Sequence, residues 1–197
     1  MANKGDVFEH PVLGERIVVL KSVLETGGDS FQLELHLAPG RPSDVAHVHP
    51  AQKERLRVIS GSLEVLTNGA VRRVDAGQRM EILPDIRHVY KPAGDAEAVV
   101  HVEFRPALEI GTYYETFFAL AQAGKVSPRT GLPNLMQMAV LLHKYRSEIQ
   151  YRVVFEPLQS VALAVLAGLL WKTEALCGLQ RLADSEIGIR SGWRRTG

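Results

Sequence analysis

The sequence is poor in cysteine, in net charge and in long apolar runs. Its one cysteine, Cys177, excludes an intramolecular disulfide and fits a reducing cytosol. A formal net charge of +1 leaves no global field to gather nucleic acid, and no basic stripe interleaved with aromatics stands in for one. Nucleic acid is therefore not an expected partner. The start of the chain has no apolar core ahead of a small-residue cleavage site, so no signal peptide is expected and a cytoplasmic protein is. The longest apolar run, 158–171, falls short of the about 20 residues that span a bilayer. It reads as a buried or interface helix, with an interfacial membrane helix as the weaker alternative. Internal repeats and low-complexity tracts are also missing.

What is present divides into two textures. From about 8 to 105, short segments with strand character are broken by Gly, Pro and Asp. In the segment 30–40, Phe31, Leu33, Leu35 and Leu37 alternate with Gln32, Glu34 and His36, the pattern of a half-buried strand. Segment 55–74 reads as two strands joined around Asn68-Gly69, a hairpin signal. Further strands are expected over 16–25, 77–84 and 96–106. Many short strands with no helix between them indicate a β-sandwich or barrel. After Pro106 the pattern turns helical. One helix is expected with Thr112 as N-cap, Glu115 at the capping-box position and Gly124 as its stop. A second opens with Pro133 and repeats apolar residues at Leu135, Met138, Leu142 and Tyr145. A third is expected from 158 to about 183.

The chemistry lies in the strand half. In a strand, His47 and His49 project to one face when Val48 points away. A turn at Pro50-Ala51-Gln52 would fold the chain back, and Glu54 would begin the returning strand with Leu56 and Val58 on its own face. Two imidazoles and a carboxylate would then converge across a hairpin. His88 follows a second strand and turn, and would complete the set if its strand lies beside the first. Three nitrogens and one oxygen suit Fe, Mn, Ni, Cu or Zn rather than Ca or Mg, which favour oxygen alone. Burial of these groups with no partner would be costly, which argues for an ion among them.

These residues carry a resemblance. His47-x-His49-x4-Glu54-x6-Gly61 resembles the first motif of the cupin superfamily, with Gly40 one residue farther from the first histidine than usual. The stretch 77–95 resembles the second motif through Gly77, Pro84 and His88. There Leu83 and Asp85 replace a common Pro and Gly, and Pro92 stands where Asn often follows. The resemblance covers residues 30–105 and implies a mainly β, cupin-type β-barrel (a double-stranded β-helix or jelly roll). It implies one divalent transition metal at His47, His49, Glu54 and His88. The barrel is assigned to 1–107 and an α-helical extension to 108–197, packed on the barrel or on a partner subunit.

Two further groups of residues are weighed. Tyr90 should point the same way as His88, which makes it the best additional pocket residue beside Glu54, the candidate base. His101, Glu103 and Arg105 share one strand face, and with His36 they are read as solvent or interface residues rather than a pocket lining. The aromatics Tyr113, Tyr114, Phe117 and Phe118 are expected to pack the first helix on the barrel. His143 is expected to have no chemical role. The functional expectation is a metal-binding cupin acting on a small organic molecule, as a dioxygenase or as an isomerase or epimerase. The alternative is a small-molecule-binding protein without turnover. Exposed apolar helix surface and open strand edges point to a homodimer.

Overall fold

A computed structural model describes residues 1–41 and 45–151. The expected third helix, the apolar run 158–171 and Cys177 lie outside the described residues. Nine strands come first: β1 (Val7–His10), β2 (Glu15–Lys21), β3 (Phe31–Leu37), β4 (Lys53–Ser60), β5 (Ser62–Thr67), β6 (Ala70–Asp75), β7 (Arg79–Ile82), β8 (His88–Pro92) and β9 (Ala98–Arg105). Among the described residues two helices follow, α1 (Ile110–Gln122) and α2 (Leu135–Lys144).

The strands form two antiparallel sheets, one ordered β1-β2-β3-β9-β4-β7 and the other β6-β5-β8. This is the jelly-roll arrangement expected, built as two facing sheets rather than a closed barrel. Alternation decides which side of each strand is buried. In β3, Phe31, Leu33, Leu35 and Leu37 are buried while Gln32, Glu34 and His36 are half-buried on the other face. In β9, Ala98, Val100, Val102 and Phe104 are buried in the same way. Leu63, Val65 and Val74 meet them from the smaller sheet. Each such side chain contributes about 1.5–3 kcal/mol by leaving water, so this core dominates the stability of the strand half.

The segment expected as one strand before Asn68 is two. β4 belongs to the larger sheet and β5 to the smaller, and the chain turns between them at Gly61. Gly61 has φ +71, and a Cβ there would run into the carbonyl oxygen of Glu97. Only glycine meets both demands. The hairpin at Asn68-Gly69 is as expected, joining β5 to β6 with Thr67 opposite Ala70. Both turn residues have positive φ, 46° and 86°, as a two-residue hairpin loop requires. β1 was missed, because its four residues are too few to show a period.

Helix α1 packs on β1. Phe118 meets the ring of Phe8 at 6.5 Å, Phe117 meets His10 at 5.3 Å, and Tyr114 meets Phe104 at 5.9 Å. The helix begins two residues before the expected cap, with Glu109 at the cap position and no side-chain cap bond. Thr112 therefore lies inside it, where its carbonyl accepts from the Thr116 hydroxyl at 2.8 Å. Glu115 is buried and pairs with the N-terminal amine at 2.9 Å instead of closing a capping box. Gly124 does stop the helix, with φ +68 just past the C-cap Ala123. Helix α2 is capped by Asn134, whose side chain accepts from Gln137 N, rather than opened by Pro133. It buries Ala139 and Leu141, Met138 and Leu142 pack against the core and Tyr145 is buried, so the expected stripe faces inward except at Leu135, which is exposed. His143 is exposed.

Candidate metal centre

Four polar side chains lie in the apolar interior between the sheets: His47, His49, Glu54 and His88 are 6%, 2%, 1% and 1% exposed. Glu54 enters from β4 on the face that carries Leu56 and Val58, as the alternation requires. Gln52, fully buried just ahead of it, donates from Nε2 to the carbonyls of Pro106 and Ala107 at 3.0 and 2.9 Å and fixes the start of the strand. His88 opens β8 in the facing sheet.

The histidine segment does not form the expected hairpin with β4. His47 instead exchanges two main-chain hydrogen bonds with His88, each 2.9 Å, which brings those ligand candidates together directly. On its other side Val48 exchanges two bonds with Gln150, at 2.9 and 3.0 Å. The carbonyl of His49 accepts from Asp85 N at 3.0 Å. Asp85, which stands where the resemblance has a glycine, has φ 68, in the left-handed region that favours glycine. Aspartate is among the few other residues that enter this region readily. The pairing that assembles the centre thus runs from one loop to β8 on one side and to the segment after α2 on the other.

Each imidazole is fixed by a main-chain carbonyl. His47 Nδ1 lies 2.8 Å from Val45 O, His88 Nδ1 lies 2.8 Å from Ile86 O, and His49 Nδ1 lies 2.5 Å from Glu148 O. A carbonyl can only accept, so every Nδ1 carries the proton, and in a neutral ring Nε2 is left as an electron-pair donor. Ligand nitrogens of the three rings lie within 4.8 Å of one another. Glu54 Oε2 sits beside them, 2.8 Å from His88 Nε2 and 3.7 Å from His49 Nε2. Its other oxygen, Oε1, accepts from the Tyr90 hydroxyl at 3.1 Å.

Electrostatics keep the donors available. Burial, followed by the nearby His88, lowers the pKa of His47 to about 4. Burial also lowers His49 to about 3, against the opposing pull of Glu54. Burial alone would raise Glu54, but His88 above all, with His49 and His47, holds it down at about 2. Tyr90 is raised well above 10, first by burial and then by the Glu54 charge, so it stays protonated and donates. His49 Nε2 is buried and makes no hydrogen bond. A buried lone pair of this kind, beside a carboxylate and two more imidazoles, suits a cation, and a divalent ion fits the donor set.

Residues 33–104 match the family model described as Cupin domain. The chain carries a cupin domain. The match spans β3 to β9 and includes all four candidate ligands of the cupin. No curated protein matches the sequence. Among solved structures, an RmlC-like cupin from Shewanella frigidimarina is 17% identical and covers 54% of this chain and 87% of its own, with a TM-score of 0.45. A predicted oxalate decarboxylase from Thermotoga maritima is 16% identical, covering 54% and 99%, with a TM-score of 0.46. KdgF from Halomonas sp. is 18% identical, covering 49% and 84%, with a TM-score of 0.43.

The other polar residues weighed in the sequence lie outside the centre. Glu34 takes His36 Nε2 at 2.9 Å and His101 Nε2 at 3.1 Å on the outer face of the larger sheet. Glu103 there receives Arg55, Arg105 and Gln32. Sequence reasoning missed Gln52, Glu148 and Tyr151. Gln52 offered a weak signal, an amide inside the motif, whereas Glu148 acts through its main chain and leaves none. Among the described residues no helix is long and apolar enough to cross a membrane.

Proposed function

We propose that this cupin holds one divalent transition metal through His47, His49, His88 and Glu54 and acts on a small organic molecule, as a dioxygenase or as an isomerase or epimerase. The observation that carries the reading is the set of three Nδ1–H donations to main-chain carbonyls, which turns the remaining nitrogens of buried rings toward one carboxylate. A metal held there would supply Lewis-acid polarisation of a carbonyl or, with a redox-active ion, O2 chemistry. The chain's own groups divide the remaining work. Glu54, once free of the metal, is the candidate base for an acidic C–H or O–H of the substrate, since its Oε2 faces the centre. Tyr90 holds the opposite oxygen and so sets the direction in which Oε2 presents its lone pairs.

Incubating metal-loaded protein with a panel of enolisable and phenolic compounds, while following both O2 uptake and product, tests the reading. Metal-dependent product with O2 uptake supports the dioxygenase, and product without uptake supports isomerisation. A saturable ligand shift with no product replaces both by the non-enzymatic binding protein. The proposal also includes a cupin-type strand domain over 1–107 with a helical extension over 108–197, and a cytoplasmic homodimer. In the larger sheet, β1 and β7 are the end strands among the described residues, and open edges favour pairing between copies. Sedimentation at several concentrations checks the dimer.

A further inference from the structure

We infer that the segment 148–151, which follows the two helices, is a working part of the metal centre, and that docking of the helical half controls how tightly the centre holds its ion. This rests on the metal reading proposed above. The barrel residues alone leave His49 without the partner of its Nδ1, because that partner is the carbonyl of Glu148. They also leave the N–H and C=O of Val48 without Gln150, although Val48 is fully buried. A ring whose Nδ1 proton has lost its acceptor is free to exchange tautomers or to turn, and Nε2 then no longer presents its lone pair to the ion.

The segment is itself tied to the helices at both ends. Glu148 is 6% exposed, and its carboxylate accepts at 3.3 Å from the main-chain N–H of Glu109, the residue at the N-cap of α1. The main-chain N–H groups of Glu148 and Ile149 both donate to Tyr145 O at 3.0 Å, so the segment hangs directly from the end of α2. Tyr151 shares a hydrogen bond with Tyr113 of α1 at 3.0 Å between hydroxyls, and its ring meets that of His47 at 5.9 Å. One short stretch therefore touches α1, the end of α2 and two candidate ligands. Any displacement of the helices is felt at His49 before it is felt at Glu54 or His88, whose supports lie within the strand half.

The test uses the full-length chain and Co(II) alone as the probe, its binding followed by absorption. Gln150→Pro removes the N–H that bonds Val48, while Gln150→Ala leaves the main chain intact and serves as its control. Glu148→Ala removes the tie to α1, and Glu148→Gln retains an acceptor there. Affinity is expected to fall about 10–100-fold in Gln150→Pro, as it does when a supporting partner of a metal ligand is lost. It should fall less in Glu148→Ala, recover in Glu148→Gln and stay at the wild-type value in Gln150→Ala. Metal loading of the wild type should in turn slow hydrogen exchange at the Val48 and Gln150 amides, because coupling is reciprocal. Wild-type affinity in a folded Gln150→Pro, or in Glu148→Ala should the proline variant not fold, overturns the inference and leaves the metal reading standing. So does unchanged exchange at those amides. A wild type that takes up no Co(II) overturns the metal reading itself, and this inference with it.

Discussion

Histidine and glutamate meet on both sides of the larger sheet and come to opposite ends. Outside, His36 and His101 aim their Nε2 atoms at one carboxylate, Glu34, and the three side chains are 19%, 38% and 27% exposed. Inside, His47, His49 and His88 gather around Glu54 at 6% exposure or less. The difference is in what holds the other nitrogen. Each inner ring gives its Nδ1 proton to a main-chain carbonyl, so its tautomer and direction are set by the fold. The outer rings instead meet carboxylates and Arg16, partners on side chains that can move away into solvent. Histidine and glutamate form a candidate metal centre where the backbone fixes them and burial shields them from solvent, and a surface ion-pair network where neither holds.

The largest effect expected from this contrast is on metal affinity. His49→Ala, His88→Ala and Glu54→Ala should each weaken Co(II) binding by more than about 100-fold, beyond what the loss of a supporting residue costs. His36→Ala and His101→Ala should leave it unchanged in the same titration. A loss of metal in the outer variants would break the comparison. Next comes Tyr90→Phe, which removes the hydrogen bond to Glu54 Oε1 and keeps the ring. It should weaken binding by about tenfold with little change in stability, read by parallel metal and denaturant titrations.

A smaller effect separates the faces by pH. The pKa values of His47 and His49 are lowered from 6.5 to about 4 and about 3, so unfolding lets both rings take up protons that the folded state refuses. The stability they contribute is present above about pH 6.5 and is lost as pH falls toward about 4. Urea midpoints of metal-free protein should therefore drop across this window, and a His47→Gln/His49→Gln variant should lose most of the slope. The smallest expected effect is on the outer face. Arg55→Ala removes an exposed pair with Glu81 and Glu103 and should leave the urea midpoint indistinguishable from wild type.

Much of this was legible in the sequence because alternation is a local property. The inward residues of β3, β4 and β9 follow from period two, and with them the placement of Glu54 inside and of Glu34, His101 and Glu103 outside. The spacing of His47, His49, Glu54 and His88 named the candidate ligands without naming how they meet. Their actual assembly depends on pairing between distant segments, His47 with His88 and Val48 with Gln150, and no local pattern encodes it. The partner of His49 is a main-chain carbonyl, which any residue at 148 would present. The break at Gly61 was hidden for a related reason. The buried positions shift from even in β4 (Glu54, Leu56, Val58) to odd in β5 (Leu63, Val65), a change of phase that shows its meaning only once the corner at Gly61 is known.

Elemental analysis of untagged protein purified without chelators tests the central claim most directly, with His49→Ala and Glu54→Ala prepared alongside. The account predicts close to one equivalent of Fe, Mn, Ni, Cu or Zn in the wild type and its loss in both variants. Wild-type protein that stays free of metal, also after reconstitution with each of these ions in turn, would contradict it.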